Sequence, residues 1–302
     1  MMIDIVRDPT FMHGFLLCSE KRSIFPQYEE KTVVEPDSLN RFGFGQRTKA
    51  PFQNVEPDWF LEQCFMRHQL ATDITMKIGK RSYSMANASK KVERKPGGEL
   101  ILSLFAHKEY KAPRRLNEGW PYFAVAQSYD GEFLSRFRSL KMRADIIFNS
   151  FKDCMDPADF NPELHTFQVI WYLVIGNLNV KSKGFGDFFH YGLPLIDKPR
   201  MVQPIEYNAE DYGNKNASHM FLHLVDSHRF LSQPLEVGQE ANFSYTCLQD
   251  IKDTFHLAQA KGYMKNSKWE DLEICQMIFG IEAEGTYDGS VTLASLSLEK
   301  EI

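Results

Sequence analysis

The chain has 302 residues, 43% of them hydrophobic and 25% charged, with a formal net charge of -5. That composition supports a sizeable buried core and excludes a disordered polar chain. The acidic balance argues against a nucleic-acid partner, since such binding draws its affinity from cationic neutralisation of phosphates. The longest strongly apolar run, Val169 to Ile175, is far short of the roughly 20 residues a membrane helix needs.

Short apolar runs separated by turn residues recur along the chain, the pattern of many antiparallel strands. Expected strands are Phe11 to Ser19, Trp59 to Leu70, Ile74 to Ile78, Glu99 to His107, Trp120 to Ser128 and Lys141 to Phe148. Trp59 to Leu70 could also open as a helix at Pro57-Asp58, but it shows no 3.6-residue stripe, which favours a strand. Lys90, Lys91, Arg94 and Lys95, ahead of Pro96-Gly97-Gly98, read as a solvated turn between strands. Gly43-Phe44-Gly45 reads as a loop, lacking the third glycine and the helix of a phosphate-binding turn.

In the second half, strands are expected over His165 to Ile175, Asp187 to Ile196, His219 to Val225, Ile274 to Ile281 and Ser290 to Leu298. Asp197 to Ser218, with Pro199, Pro204 and Gly213, reads as a long polar loop. One α-helix is inserted at about 246–261: Thr246 and Gln249 stand at capping-box spacing, Leu248, Ile251, Phe255 and Ala258 form a stripe, and Gly262 ends it. The fold class is therefore all-β, an antiparallel β-sandwich of jelly-roll type with one helix. A single domain over 1–302 is expected, with 1–115 and 116–302 as two β subdomains the alternative, because no linker marks a boundary.

Cys18, Cys64, Cys154, Cys247 and Cys275 are dispersed without CxxC spacing, which reads as free thiols, with Cys18 and Cys275 as small core residues. The start, MMIDIVRDPTF, has no charged segment followed by an apolar one. No signal peptide is expected, and the cytoplasm is the expected location unless a leader has been removed.

No nucleophile or metal motif stands out. His219 and His223 would share a strand face about 13 Å apart, too far for one ion, so no metal is expected near Asp226 and His228. Alternation is more informative. In His165 to Ile175, the apolar set Phe167, Val169, Trp171, Leu173 and Ile175 must face the core, which turns Gln168 and Tyr172 outward. In Ile274 to Glu284, Cys275, Met277, Phe279 and Ile281 face inward, and Gln276, Glu282 and Glu284 outward. His190 falls on the more polar face of its strand. Gln168, Tyr172, His190, Gln276, Glu282, Glu284 and Tyr122, with Trp120 nearby, are the candidate ligand-binding residues of one concave face. Amide, carboxylate, imidazole and aromatic groups of this kind suit a saccharide. The alternative is a solvated sheet face without a ligand.

The stretch WEDLEICQMIFGIEAEGTYDGSVTLASLSL, Trp269 to Leu298, resembles the closing strands of jelly-roll carbohydrate-binding sandwiches of the concanavalin A-like and galactose-binding-like kind. The resemblance spans roughly the last 140 residues and implies a lectin-like saccharide-binding protein. Two departures bear on catalysis: the E-x-D-x-x-E strand of laminarinase-like hydrolases is absent, and the Q-I-H strand of jelly-roll alginate lyases has only Gln168-Val169-Ile170 as its nearest counterpart. Three functions follow: carbohydrate binding on the concave face; a glycoside hydrolase or polysaccharide lyase using Glu282 or Glu284 with His190 or Tyr172; or a structural, protein-interacting sandwich. No cofactor is expected beyond a structural calcium held by oxygens around Glu282, Glu284 and Asp288.

Overall fold

A computed structural model describes residues 1–20, 44–211 and 218–302. Two sheets face each other. The first runs in the order β15 (Glu240–Thr246), β10 (Ser139–Asp153), β17 (Tyr287–Glu301), β8 (Leu100–Phe105), β7 (Lys90–Arg94), β6 (Tyr83–Ala86) and β5 (Thr75–Ile78), with β1 (Met2–Asp4) also paired to β17. The second runs β13 (Tyr207–Glu210), β14 (Phe221–Leu224), β12 (Phe188–Lys198), β11 (Phe167–Asn177), β16 (Leu272–Ala283), β9 (Tyr122–Ser128), β4 (Trp59–Cys64), β2 (Phe15–Glu20) and β3 (Phe44–Ala50). Pairing is antiparallel except for β2 with β4 and β12 with β14. Both sheets draw strands from before and after residue 115. The chain is a β-sandwich with one long helix, as its alternation predicts.

Alternation decides what lies between the sheets. Val169, Trp171, Leu173 and Ile175 of β11 and Met277, Phe279 and Ile281 of β16 meet Leu102, Leu104, Met142, Phe148, Val291 and Leu293 of the first sheet. Phe148 and Phe167 stack across the gap with centroids 6.2 Å apart. Among the described residues, no helix is long and apolar enough to cross a membrane.

The helix, α2 (Leu248–Ala260), buries Ile251, Thr254, Phe255 and Ala258, as its stripe predicts. Gly262 follows it at φ +100°, its amide donating to the Gln259 carbonyl at 3.0 Å, a left-handed stop that suits glycine. The expected capping box does not form. Thr246 is the last residue of β15, and Cys247 takes the cap position without a side-chain hydrogen bond.

Four other expectations change. The basic segment is strand β7 rather than a solvated turn, and its Lys90 and Arg94 are buried. Lys90 Nζ lies 2.9 Å from Glu109 Oε1, both side chains being fully enclosed. Glu109 comes from α1 (Ala106–Glu109), and its other oxygen accepts the Arg67 amide at 2.5 Å. Binary patterning assigns lysine to water, but a carboxylate on another element can hold it inside. Within the expected loop, Tyr207–Glu210 forms β13, while residues 212–217 lie outside the described residues. Phe44 begins β3 rather than lying in a loop; Gly43 lies outside the described residues, and so does the side-chain packing of Cys18. Cys275, finally, leaves the core set. The β11–β16 register slips between Val174 and Ile175, so Val174 faces Gln276 and Ile175 faces Ile274. That bulge sends Cys275 to the opposite side, with Ile278 and Val174.

Candidate active site

The outer face of the second sheet is not a solvated surface. Phe60, Ala124, Ala126, Val174, Cys275 and Ile278 form a second buried apolar cluster on it. Cross-strand register arranges the polar groups around this cluster. One row runs Cys64, Tyr122, Glu282, Gln168 and Asp197. The next runs Glu62, Ala124, Gly280, Ile170 and Pro194. Residues directly opposite each other point to the same face, so Glu62 and Glu282 share it, two strands and two residues apart. That spacing puts their Cα atoms about 12 Å from each other.

Small residues lie between the two strands. Ala124, Ala126 and Gly280 leave a low floor between β4 and β16, across which Gln276 Nε2 donates to Glu62 Oε1 at 3.0 Å. Tyr122, on β9 between these strands, also acts to lower the Glu62 carboxyl. The Tyr172 ring lies over Gly192, where a Cβ would come within 2.8 Å of it. Its hydroxyl donates to Glu282 Oε1 at 3.3 Å, and Trp120 Nε1 donates to Oε2 at 2.9 Å. Arg114 lies 4.3 Å over the Trp120 ring and 3.5 Å from Glu284.

Burial dominates the electrostatics. It pushes the carboxyls of Glu62, Glu282 and Glu284 up to about 7, against the lowering effect of their hydrogen bonds and of Arg114. Burial, with the charge of Glu282 added, holds the Tyr172 hydroxyl well above its ordinary range. Burial also lowers the His190 imidazole, while Asp211 opposes that shift.

Of the candidates named from sequence, Tyr122, Tyr172, Gln276, Glu282 and Trp120 come together, and Glu284 joins them through Arg114. Gln168 stands at the margin: its amide donates to Asp197 Oδ2 at 3.2 Å, and Arg200 holds the same oxygen at 2.6 Å. His190 is also marginal, packed edge-on against Tyr172 and Phe188. The oxygens considered for calcium are divided, with Glu282 on Trp120, Glu284 on Arg114, and Asp288 bonded to His107 at 2.6 Å. His219 pairs with Glu210, His228 with Asp226, and His223 stacks on Tyr191.

Glu62 and Arg114 escaped the sequence reading. The signal for Glu62 was a lone carboxylate in the run Trp59 to Leu70, sharing its alternation set with Phe60 and Cys64. Arg114 lies outside any strand, and only the folded chain brings it to Glu284.

No protein-family model matches the chain, and no curated protein matches it. Solved structures of similar shape include a family 11 xylanase from Neocallimastix patriciarum, with TM-score 0.37 and 7% identity, over 80% of this chain and 100% of the xylanase. A family 12 xyloglucanase from Bacillus licheniformis gives TM-score 0.40 and 12% identity, over 76% and 97% of the two chains. An endoglucanase from Rhodothermus marinus gives 0.39 and 10%, over 80% and 99%.

Proposed function

We propose that this protein acts on a saccharide as a glycoside hydrolase, with Glu62 and Glu282 as its carboxyl pair. The observation that carries this reading is two carboxyl groups on one sheet face, each raised by burial to about 7, Glu282 oriented by Tyr172 and Trp120 and Glu62 by Gln276. A carboxyl of that acidity is protonated often enough near neutral pH to give a proton to a leaving glycosidic oxygen. Its ionised partner then serves as nucleophile or as base toward water. Tyr172 and His190 supply ring edges and polar groups for a sugar on this face, while Trp120, covered by Arg114, and Gln276, bonded to Glu62, hold the two carboxyls in place.

The carboxyl pair favours hydrolysis over elimination by a tyrosine base, because Tyr172 is held in its neutral form beside Glu282. The test is release of reducing ends from a polysaccharide panel that includes xylan, xyloglucan and cello-oligosaccharides. Hydrolysis should fall at least 100-fold in both Glu62→Gln and Glu282→Gln while the circular dichroism spectrum is retained. Binding without release by the wild type would return the protein to a purely lectin-like role. Undiminished hydrolysis by Glu282→Gln would remove the carboxyl pair from the mechanism.

A further inference from the structure

A second constellation lies on the other sheet. Asp288 near the start of β17 is paired with Phe105 of β8 on one side and Lys152 of β10 on the other. Both neighbours run antiparallel to β17, so they leave the sheet in the same direction. Two residues beyond Phe105 stands His107, and two residues beyond Lys152 stands Cys154. The three strands therefore deliver an imidazole, a thiol and a carboxylate to one point. Ligand atoms of all three lie within 4.8 Å of one another. His107 Nδ1 is 2.6 Å from Asp288 Oδ1, and Cys154 Sγ is 3.7 Å from Asp288 Oδ2. The group is half-buried, with the His107 side chain 33% exposed and Asp288 14%.

From this geometry we propose that His107, Cys154 and Asp288 form a binding site for a zinc-class divalent ion, with its fourth position open to water. The donor set decides the class of ion. Nitrogen, sulfur and oxygen together suit a borderline-soft tetrahedral cation, whereas calcium and magnesium take oxygen. The order of contacts also speaks against a thiol nucleophile activated by histidine. The carboxylate stands next to the sulfur, while the imidazole is held on the carboxylate's other oxygen. Metal binding would displace the Cys154 thiol proton to solvent, and the His107–Asp288 contact would open by about 0.7 Å, to the roughly 3.3 Å that separates two ligand atoms of a tetrahedral ion. Rigid strand ends supply two of the ligands, and the exposure of His107 leaves a path for entry.

Cobalt(II) is a suitable probe, because thiolate ligation gives a near-ultraviolet charge-transfer band and tetrahedral ligation gives intense visible bands. The full-length protein should take up one equivalent with both signatures, and excess zinc should bleach them. Cys154→Ser should abolish the charge-transfer band, and His107→Gln should weaken affinity at least tenfold. Cys247→Ser, whose sulfur lies on the Leu140 carbonyl at the opposite end of β10 from Cys154, should leave both signatures unchanged. Absence of a one-equivalent cobalt spectrum, or a charge-transfer band that survives in Cys154→Ser, would overturn the proposal. His107→Gln keeps the test open if the serine variant fails to fold, since cobalt affinity unchanged in that variant would also refute the site. These readouts do not depend on saccharide hydrolysis.

Discussion

Glu62 makes the electrostatics of this sheet face measurable without knowing a substrate. Its side chain is almost completely enclosed, at 3% exposure, and burial raises its carboxyl from 4.5 to about 7. A carboxyl raised in the folded state favours folding at low pH, because the folded chain holds a proton that the unfolded chain has released. Between pH 4.5 and about 7, the unfolded state has lost that proton and the folded state has kept it, so stability falls as pH rises. At about 1.36 kcal/mol per pH unit, the loss amounts to about 3 kcal/mol, complete once pH exceeds the folded value. Glu62→Gln replaces the acid with a neutral isostere whose carbonyl still accepts from Gln276. Urea unfolding of wild type and variant at half-unit steps from pH 4.5 to 8.5 isolates this contribution. Relative to the variant, the wild type should lose about 3 kcal/mol over that range. A difference that is flat in pH, or that favours the wild type as pH rises, would show that Glu62 is ionised in the fold and refute the assignment.

Three further outcomes follow from packing. Lys90→Met should cost about 3–5 kcal/mol in denaturant unfolding because it leaves Glu109 buried without its counter-ion; adding Glu109→Leu should recover only part, since the Arg67 and His68 amides lose their acceptor. Gly280→Ala should destabilise by about 1–3 kcal/mol, because its new methyl would overlap the Ala124 side chain and approach the Phe123 carbonyl at 2.8 Å. Ala124→Gly in the same background should recover part of that loss. Phe255→Ala should cost about 3–5 kcal/mol by emptying the seat of α2 against the core, where its ring centroid lies 6.2 Å from that of Trp269. Thermal melts monitored in the near ultraviolet would report each change.

Much of the fold was legible in the chain because side-chain alternation is a local property. Phe167, Val169, Trp171, Leu173 and Ile175 stand two residues apart, and a strand of any topology must send them to one side. The α2 stripe and Gly262 carry the same kind of local information. The β16 bulge was not legible, because nothing in Ile274-Cys275-Gln276 announces a slip that is defined only against β11. Tyr172, Glu282 and Gln276 could be placed on an outward face for the same local reason. Their partners could not be named, since those depend on which strands become neighbours.

Alternation, turn chemistry and the helix stripe by themselves determined a β-sandwich and the inward face of its main strands. Tertiary structure alone decided that the outward face is half-buried, that Glu62 stands on the same face as Glu282, and that Lys90 can be buried against Glu109. It alone brought His107, Cys154 and Asp288 together. The physical reason is that period and propensity act over a few residues, whereas desolvation and charge pairing depend on strand order and register across the whole chain.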